Sequence, residues 1–153
     1  GSFGVGMHWW WDNVVDPGDL YFHFAPIAKI VEGINFSESG LKKIDALASA
    51  DEDAKLSVFA LCGKSVCLGW VKNAKNVWTN RADDSQTKAL ITGAKIELYG
   101  LEGGTWSVKF INAYDSSVSQ GAAINVGSGG KASFELPSFV QDAAFRMEKG
   151  IKP

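Results

Sequence analysis

Hydrophobic spacing changes once along this chain, and the change falls near Asn35. From Leu20 the apolar residues recur at Leu20, Phe24, Ile27, Ile30 or Val31 and Ile34, the spacing of a single buried stripe on a helix. Asp16-Pro17-Gly18-Asp19 supplies a start signal, with Asp16 as N-cap, Pro17 at the first helical position and Asp19 as an acid in the first turn. Pro26 is expected to bend the helix, because the pattern resumes after it, and Gly33 to stop it. Ahead of the helix, Phe3 to Trp11 reads as one short strand and Asn13 to Val15 as a loop.

Beyond Asn35 the pattern alternates, and no helix fits. Lys42 to Ala50 is expected to be a strand, followed by the turn Asp51-Glu52-Asp53. Leu56 to Cys62 is apolar on both faces, which predicts a central strand, and Val66 to Lys72 returns antiparallel to it. Ala89 to Leu101 and Thr105 to Tyr114 flank Gly100 to Gly104, while Ala122 to Val126 and Lys131 to Leu136 flank Gly127-Ser128-Gly129-Gly130. Both arrangements carry a hairpin signal. Ala143 to Glu148 closes the series, giving about eight short strands and the pattern of an antiparallel β-sandwich. The chain therefore reads as mainly β, preceded by one short strand and one amphipathic helix that cannot bury both their faces alone. That divides it into 1–35 and 36–153.

Composition narrows the partners. With 153 residues, 46% of them hydrophobic, there is material for a real core. A net charge of -2 with interspersed signs offers no basic surface for nucleic acid, and no apolar run reaches the ~18 residues of a membrane span. Gly1-Ser2 reads as a cloning remnant, which leaves room for a natural signal peptide upstream. Cys62 and Cys67 flank an apparent turn, Gly63 to Val66. A cross-strand disulfide and a pair of small buried hydrophobes are both open there, the second being favoured. No metal or cofactor site is indicated: neither His8 nor His23 has ligand spacing to the cysteines, and no Asp/Asn cluster has the spacing of a known calcium loop, although the Asp83-Asp84 region could hold an ion in a sandwich of this kind.

Two stretches carry candidate chemistry. His8-Trp9-Trp10-Trp11-Asp12-Asn13 puts three large rings in a row. As a strand it would place Trp9 and Trp11 on one side and His8, Trp10 and Asp12 on the other. The polar segment 73–88 leaves Trp78 among Asn76, Asn80 and Arg81, an aromatic flanked by amide and charged groups, as sugar-binding surfaces require. Trp70 and Trp106 lie inside strands and are read as core; Tyr99 and Tyr114, near strand ends, are weaker binding candidates.

Gly6 to Asn13, with Asp16-Pro17, Leu20 to Lys29 and Glu32-Gly33, resembles the eighth strand and eighth helix of the (β/α)8 catalytic barrel in clan A glycoside hydrolases such as family 5. Gly69 to Asn73, Trp78 to Asn80, Gly93 to Ile96, Leu101 to Val108 and Leu136 to Phe139 resemble the β-sandwich that follows that barrel. The resemblance implies that one of Trp9, Trp10 and Trp11, with Trp11 favoured, forms the floor of the sugar subsite where cleavage occurs. It also implies that the two catalytic carboxylates, on the fourth and seventh strands, lie upstream. Asp12, Asp16 and Asp19 are not those residues, so this chain is expected to have no catalytic residue of its own.

The expected function is that of a non-catalytic C-terminal sandwich of a secreted, periplasmic or cell-surface polysaccharide-degrading enzyme, retaining in mechanism. It would bind a β-linked polysaccharide through Trp9, Trp11, Asn76, Trp78, Asn80 and Arg81, or brace the barrel. Alternatives are a fragment of an active endo-β-glycanase, a glucanase or mannanase, and a piece that self-associates through Trp9 to Trp11.

Overall fold

The computed structural model describes residues 11–50, 54–75 and 89–150. The strand expected over Phe3 to Trp11 lies outside these residues save for Trp11, which opens a π-helical turn, Trp11–Val15, where a loop was expected. The helix expected from Asp16 does not run as one piece. Leu20–Phe24 is a 3-10 turn and the regular helix, α1, is Ala25–Val31. Asp16 caps neither: the 3-10 turn is preceded by Asp19 in a left-handed conformation (φ 47°) with no side-chain cap, while Asp16 accepts the Tyr21 hydroxyl at 2.6 Å. Pro26 sits in the first turn of α1 and so begins the helix instead of bending it, because its missing N–H has no partner to lose there. Gly33, at φ 71°, follows the helix end as expected.

A further short helix, α2 (Phe36–Ser39), follows where only strands were expected. Asn35 caps it by accepting from the Ser37 amide, and Gly40 ends it at φ 64°.

The strands are β1 (Lys42–Lys43), β2 (Ala46–Ser49), β3 (Leu56–Cys62), β4 (Val66–Asn73) and β5 (Lys95–Leu98), then β6 (Gly104–Asn112), β7 (Val118–Gln120), β8 (Ile124–Val126), β9 (Ala132–Glu135) and β10 (Asp142–Lys149). They form two antiparallel sheets. The larger runs β1-β3-β4-β10-β6-β7, with β8 also paired to β6; the smaller is β2-β5-β9. The expected strand over Lys42 to Ala50 is thus two, one in each sheet. The β3–β4 hairpin sets Cys62 opposite Cys67, and the two form a disulfide, against the preference for free buried thiols. β3 is not central: only the two residues of β1 lie outside it, and Phe59 is 44% exposed. The centre belongs to β4, β10 and β6.

Neither glycine turn makes a hairpin. Gly100 to Gly104 carries the chain from β5 in the small sheet to β6 in the large one, and Gly127 to Gly130 carries it from β8 back to β9. The two turns lie together at one end of the sandwich, where the Leu101 amide donates to the Gly130 carbonyl at 3.0 Å. Gly130 has φ 66°, and a Cβ there would press on the Leu101 backbone, so both close approach and left-handed geometry require glycine.

Between the sheets lies the main core. Ala143, Phe145 and Met147 of β10 face it with Trp106 and Val108 of β6, Val71 of β4 and Ile96 and Leu98 of β5. Trp106 is fully buried and its indole N–H donates to the Glu102 carbonyl at 3.0 Å, in keeping with the core role expected of it. Gly69 of β4 is paired with Phe145 of β10, whose ring lies over the bare backbone.

The opposite face of the large sheet is also covered. Ile30 of α1 packs on Val66 and Leu68 of β4, Ile111 of β6 and Ala144 of β10, with Val31, Ile34, Leu41 and Trp70 around them. The molecule therefore has three layers, and burying Ile30 contributes about 1.5–3 kcal/mol to holding the third. Arg146, on the same face of β10, donates from Nη1 to the carbonyls of Ile30 at 3.3 Å and Glu32 at 2.5 Å. Those carbonyls belong to the helix end, which has no further turn to satisfy them.

Candidate functional site

Helix α1 buries little of its surface. Pro26 and Ile30 are its buried residues, while Tyr21, Phe22 and Ile27 are exposed, as are Val14 before the helix and Phe36 after it. The apolar stripe read from Leu20, Phe24, Ile27 and Ile30 is thus covered on one edge only. Half of the large hydrophobic residues exposed in the described structure fall within residues 14–36, and such concentration on one short segment marks a contact surface.

A second feature is a cleft of about 620 Å³ between the β6–β7 turn and the start of β10. That volume falls within the range of small-molecule sites, roughly 300–1,000 Å³. Its floor is apolar, with Phe110, Phe139 and Ala143 among the contributors, and its rim carries Asn112, Ser117, Ser119, Gln141 and Asp142. Tyr114 stands at the rim and is 72% exposed. The turn that holds it is tied at four points. Asn112 Oδ1 accepts from the Tyr114 amide at 2.8 Å, and Asp115 Oδ1 accepts from the Ser117 amide at 2.8 Å. The Ser116 amide donates to the Asn112 carbonyl at 3.0 Å, and the Asn112 amide donates to the Ser117 carbonyl at 2.9 Å. Hydrogen bonds from Ser117 hold the Asp115 carboxyl below its usual range.

Asp142 is the unusual residue of this wall. Burial raises its carboxyl above the usual aspartate value, with the Lys72 charge and a hydrogen bond from Trp70 opposing the shift. Its Oδ1 is shielded from solvent and accepts no hydrogen bond. A buried acceptor without a donor costs about 1–3 kcal/mol.

Most of the expected sugar-binding residues cannot be placed. Trp9, Asn76, Trp78, Asn80 and Arg81 lie outside the described residues, and Trp11 enters only as the first residue of its turn. Of the weaker candidates, Tyr99 donates its hydroxyl to Glu97 at 2.6 Å beneath Lys131, which itself pairs with Glu97 at 2.8 Å. That cluster satisfies itself. Tyr114 faces a cleft. Asp142 escaped the reading of the sequence because it shares the alternation of Ala144, Arg146 and Glu148, and nothing in the pattern marks an acid at the head of a strand as buried. Among the described residues no group of three or more His, Cys, Asp or Glu is placed to hold a metal, and no helix is long and apolar enough to cross a membrane.

An antiparallel sandwich carrying a helix on the outer face of its larger sheet, with a cleft at the sheet's end, has a glycoside-hydrolase-like fold. The chain is similar in structure to a family 5 glycoside hydrolase from Bacteroides vulgatus ATCC 8482, at a TM-score of 0.56 and 14% sequence identity, over 94% of this chain and 27% of that one. Weaker likenesses are to a family 30 endoxylanase from Clostridium papyrosolvens C71 (TM-score 0.39, 18% identity, 75% of this chain and 25% of that one) and a family 44 xyloglucanase from Paenibacillus polymyxa (0.37, 13%, 63% and 17%). This chain spans about a quarter of the length of the glycoside hydrolases it resembles. No family model and no curated protein matches the sequence.

Proposed function

We propose that this chain is the non-catalytic C-terminal part of a polysaccharide-degrading glycoside hydrolase, in which residues 1–35 complete a catalytic barrel and residues 36–153 form the appended sandwich. The observation that carries the reading is the two-sided helix segment. One side of α1 is fixed to the sandwich through Ile30, while Phe22 and Ile27 project apolar surface that this sandwich leaves uncovered. A barrel packed on that surface would be braced by the sandwich through the helix. The retaining chemistry, the upstream carboxylates and secretion belong to the same proposal, as does a β-linked polysaccharide as the partner of the whole enzyme.

The natural coding sequence immediately upstream tests it. A Glu-bearing strand at the spacing of a seventh barrel strand is expected, with a second carboxylate on the fourth; an upstream sequence lacking both overturns the proposal. The purified 153-residue chain is expected to release no reducing sugar from β-glucan, xylan or mannan, and measurable release would make it a catalyst in its own right. The same apolar surface supports self-association of the isolated chain as a second reading. Sedimentation velocity distinguishes the two, because a monomer whose size is independent of concentration removes self-association.

A further inference from the structure

We propose that the cleft between the β6–β7 turn and the head of β10 is a binding site for a short neutral oligosaccharide, with one sugar ring stacked on Tyr114. The proposal rests on the carbohydrate reading above and gives it a place among the described residues. Three features of the cleft select this ligand. First, an exposed aromatic ring is held on a turn whose backbone is fixed by the Asn112 and Asp115 side chains. Such a ring is an ordered platform for the C–H face of a pyranose, and little entropy is lost in using it. Second, apart from Asp142 the rim residues Asn112, Ser117, Ser119 and Gln141 are uncharged donors and acceptors, which suits hydroxyl groups and not an anionic ligand. Third, the wall contains an acceptor, Asp142 Oδ1, that has no donor in the protein.

Oδ1 is shielded in the free protein, so a hydroxyl reaches the carboxyl by a turn of the Asp142 side chain into the cleft. Trp70 lies beside the same carboxyl, which makes its indole a reporter of that movement. The apolar floor adds contact area and excludes water, as in other concave small-molecule sites.

The test is titration calorimetry of the whole chain with cellopentaose, xylopentaose and mannopentaose, each against wild type, Tyr114→Ala and Tyr114→Phe. Tyr114 is exposed, so neither substitution is expected to disturb folding. Wild type is expected to bind at least one of the three sugars, Tyr114→Ala to weaken that binding by tenfold or more, and Tyr114→Phe to retain it. The Trp70 indole N–H resonance should shift on saturation in wild type and remain still in Tyr114→Ala. If wild type binds and Tyr114→Ala binds equally well, the cleft proposal is overturned while sugar binding elsewhere on the chain survives. If none of the three sugars binds, the cleft proposal falls together with carbohydrate binding, and bracing of the barrel stands alone.

Discussion

The guanidinium of Arg146 donates to the backbone carbonyl of Ile30 at 3.3 Å, across 116 positions of sequence. The same nitrogen reaches the Glu32 carbonyl, and Glu148 pairs with the other side of the group through Nε at 3.0 Å and Nη2 at 2.5 Å. One half-buried cation thus fastens the end of α1 to the middle strand of the large sheet, and it is itself held in place by its neighbour two residues on. A positive charge at a helix C-terminus is also favoured by the helix dipole.

Replacing Arg146 by Met keeps most of the packing and removes the donors. Stability is expected to fall by about 2–4 kcal/mol, since the hydrogen bonds are charge-assisted and Glu148 loses its main partner. Hydrogen exchange locates the effect: the amides of α1 should lose more protection than those of β4. Uniform loss across both would mean that Arg146 does not serve the helix in particular.

Acid should loosen the same joint. Burial opposes ionisation of Glu148, but the hydrogen bond and charge of Arg146, with Lys109 at 3.4 Å, outweigh it and hold the carboxyl below its usual range. A carboxyl that ionises more readily when folded stabilises the fold above its unfolded pKa, about 4.3 for glutamate, and that contribution disappears as pH falls through the lower folded value. Glu148→Gln should therefore be destabilised most at neutral pH, with the difference from wild type closing below about pH 4.3. Asp142 runs the other way. Its raised pKa penalises the folded state above the folded value and not below the unfolded one, so Asp142→Asn should gain stability at neutral pH and lose the gain in acid. Denaturant melts at a series of pH values check both signs.

Gly69→Ala tests the packing of the centre. A methyl at that position runs into the Phe145 ring, and with β4 paired on both sides neither backbone has room to retreat. A loss of about 1–3 kcal/mol is expected from overpacking, seen as a lower denaturation midpoint at unchanged slope. An unchanged midpoint would show that the ring is free to move aside.

The alternation of Ala143, Phe145 and Met147 against Ala144, Arg146 and Glu148 gave the last strand and both its faces correctly. Alternation reports that a segment is extended and which residues share a side. It does not report the partner, and this is why the Gly100 to Gly104 and Gly127 to Gly130 turns read as hairpins although each passes from one sheet to the other. Helical spacing has a parallel weakness. Leu20, Phe24, Ile27 and Ile30 describe an apolar stripe whether its cover comes from this sandwich or from another body, and here only part of it is covered. Tyr114 was legible as an aromatic near a strand end. The cleft behind it was not, because it joins residues near positions 112 and 142 through a pairing that spacing does not reveal.

The place of β10 bears on how the molecule is made. It lies between β4 and β6, yet it follows every other described strand in sequence. Until it emerges from the ribosome, the halves of the large sheet on either side of it have no bridge, and each presents an unpaired edge. Arg146 sits on that strand, so the end of α1 is secured only once β10 has joined the sheet. Joining of the two halves of the large sheet and fastening of the helix end are then one coupled step.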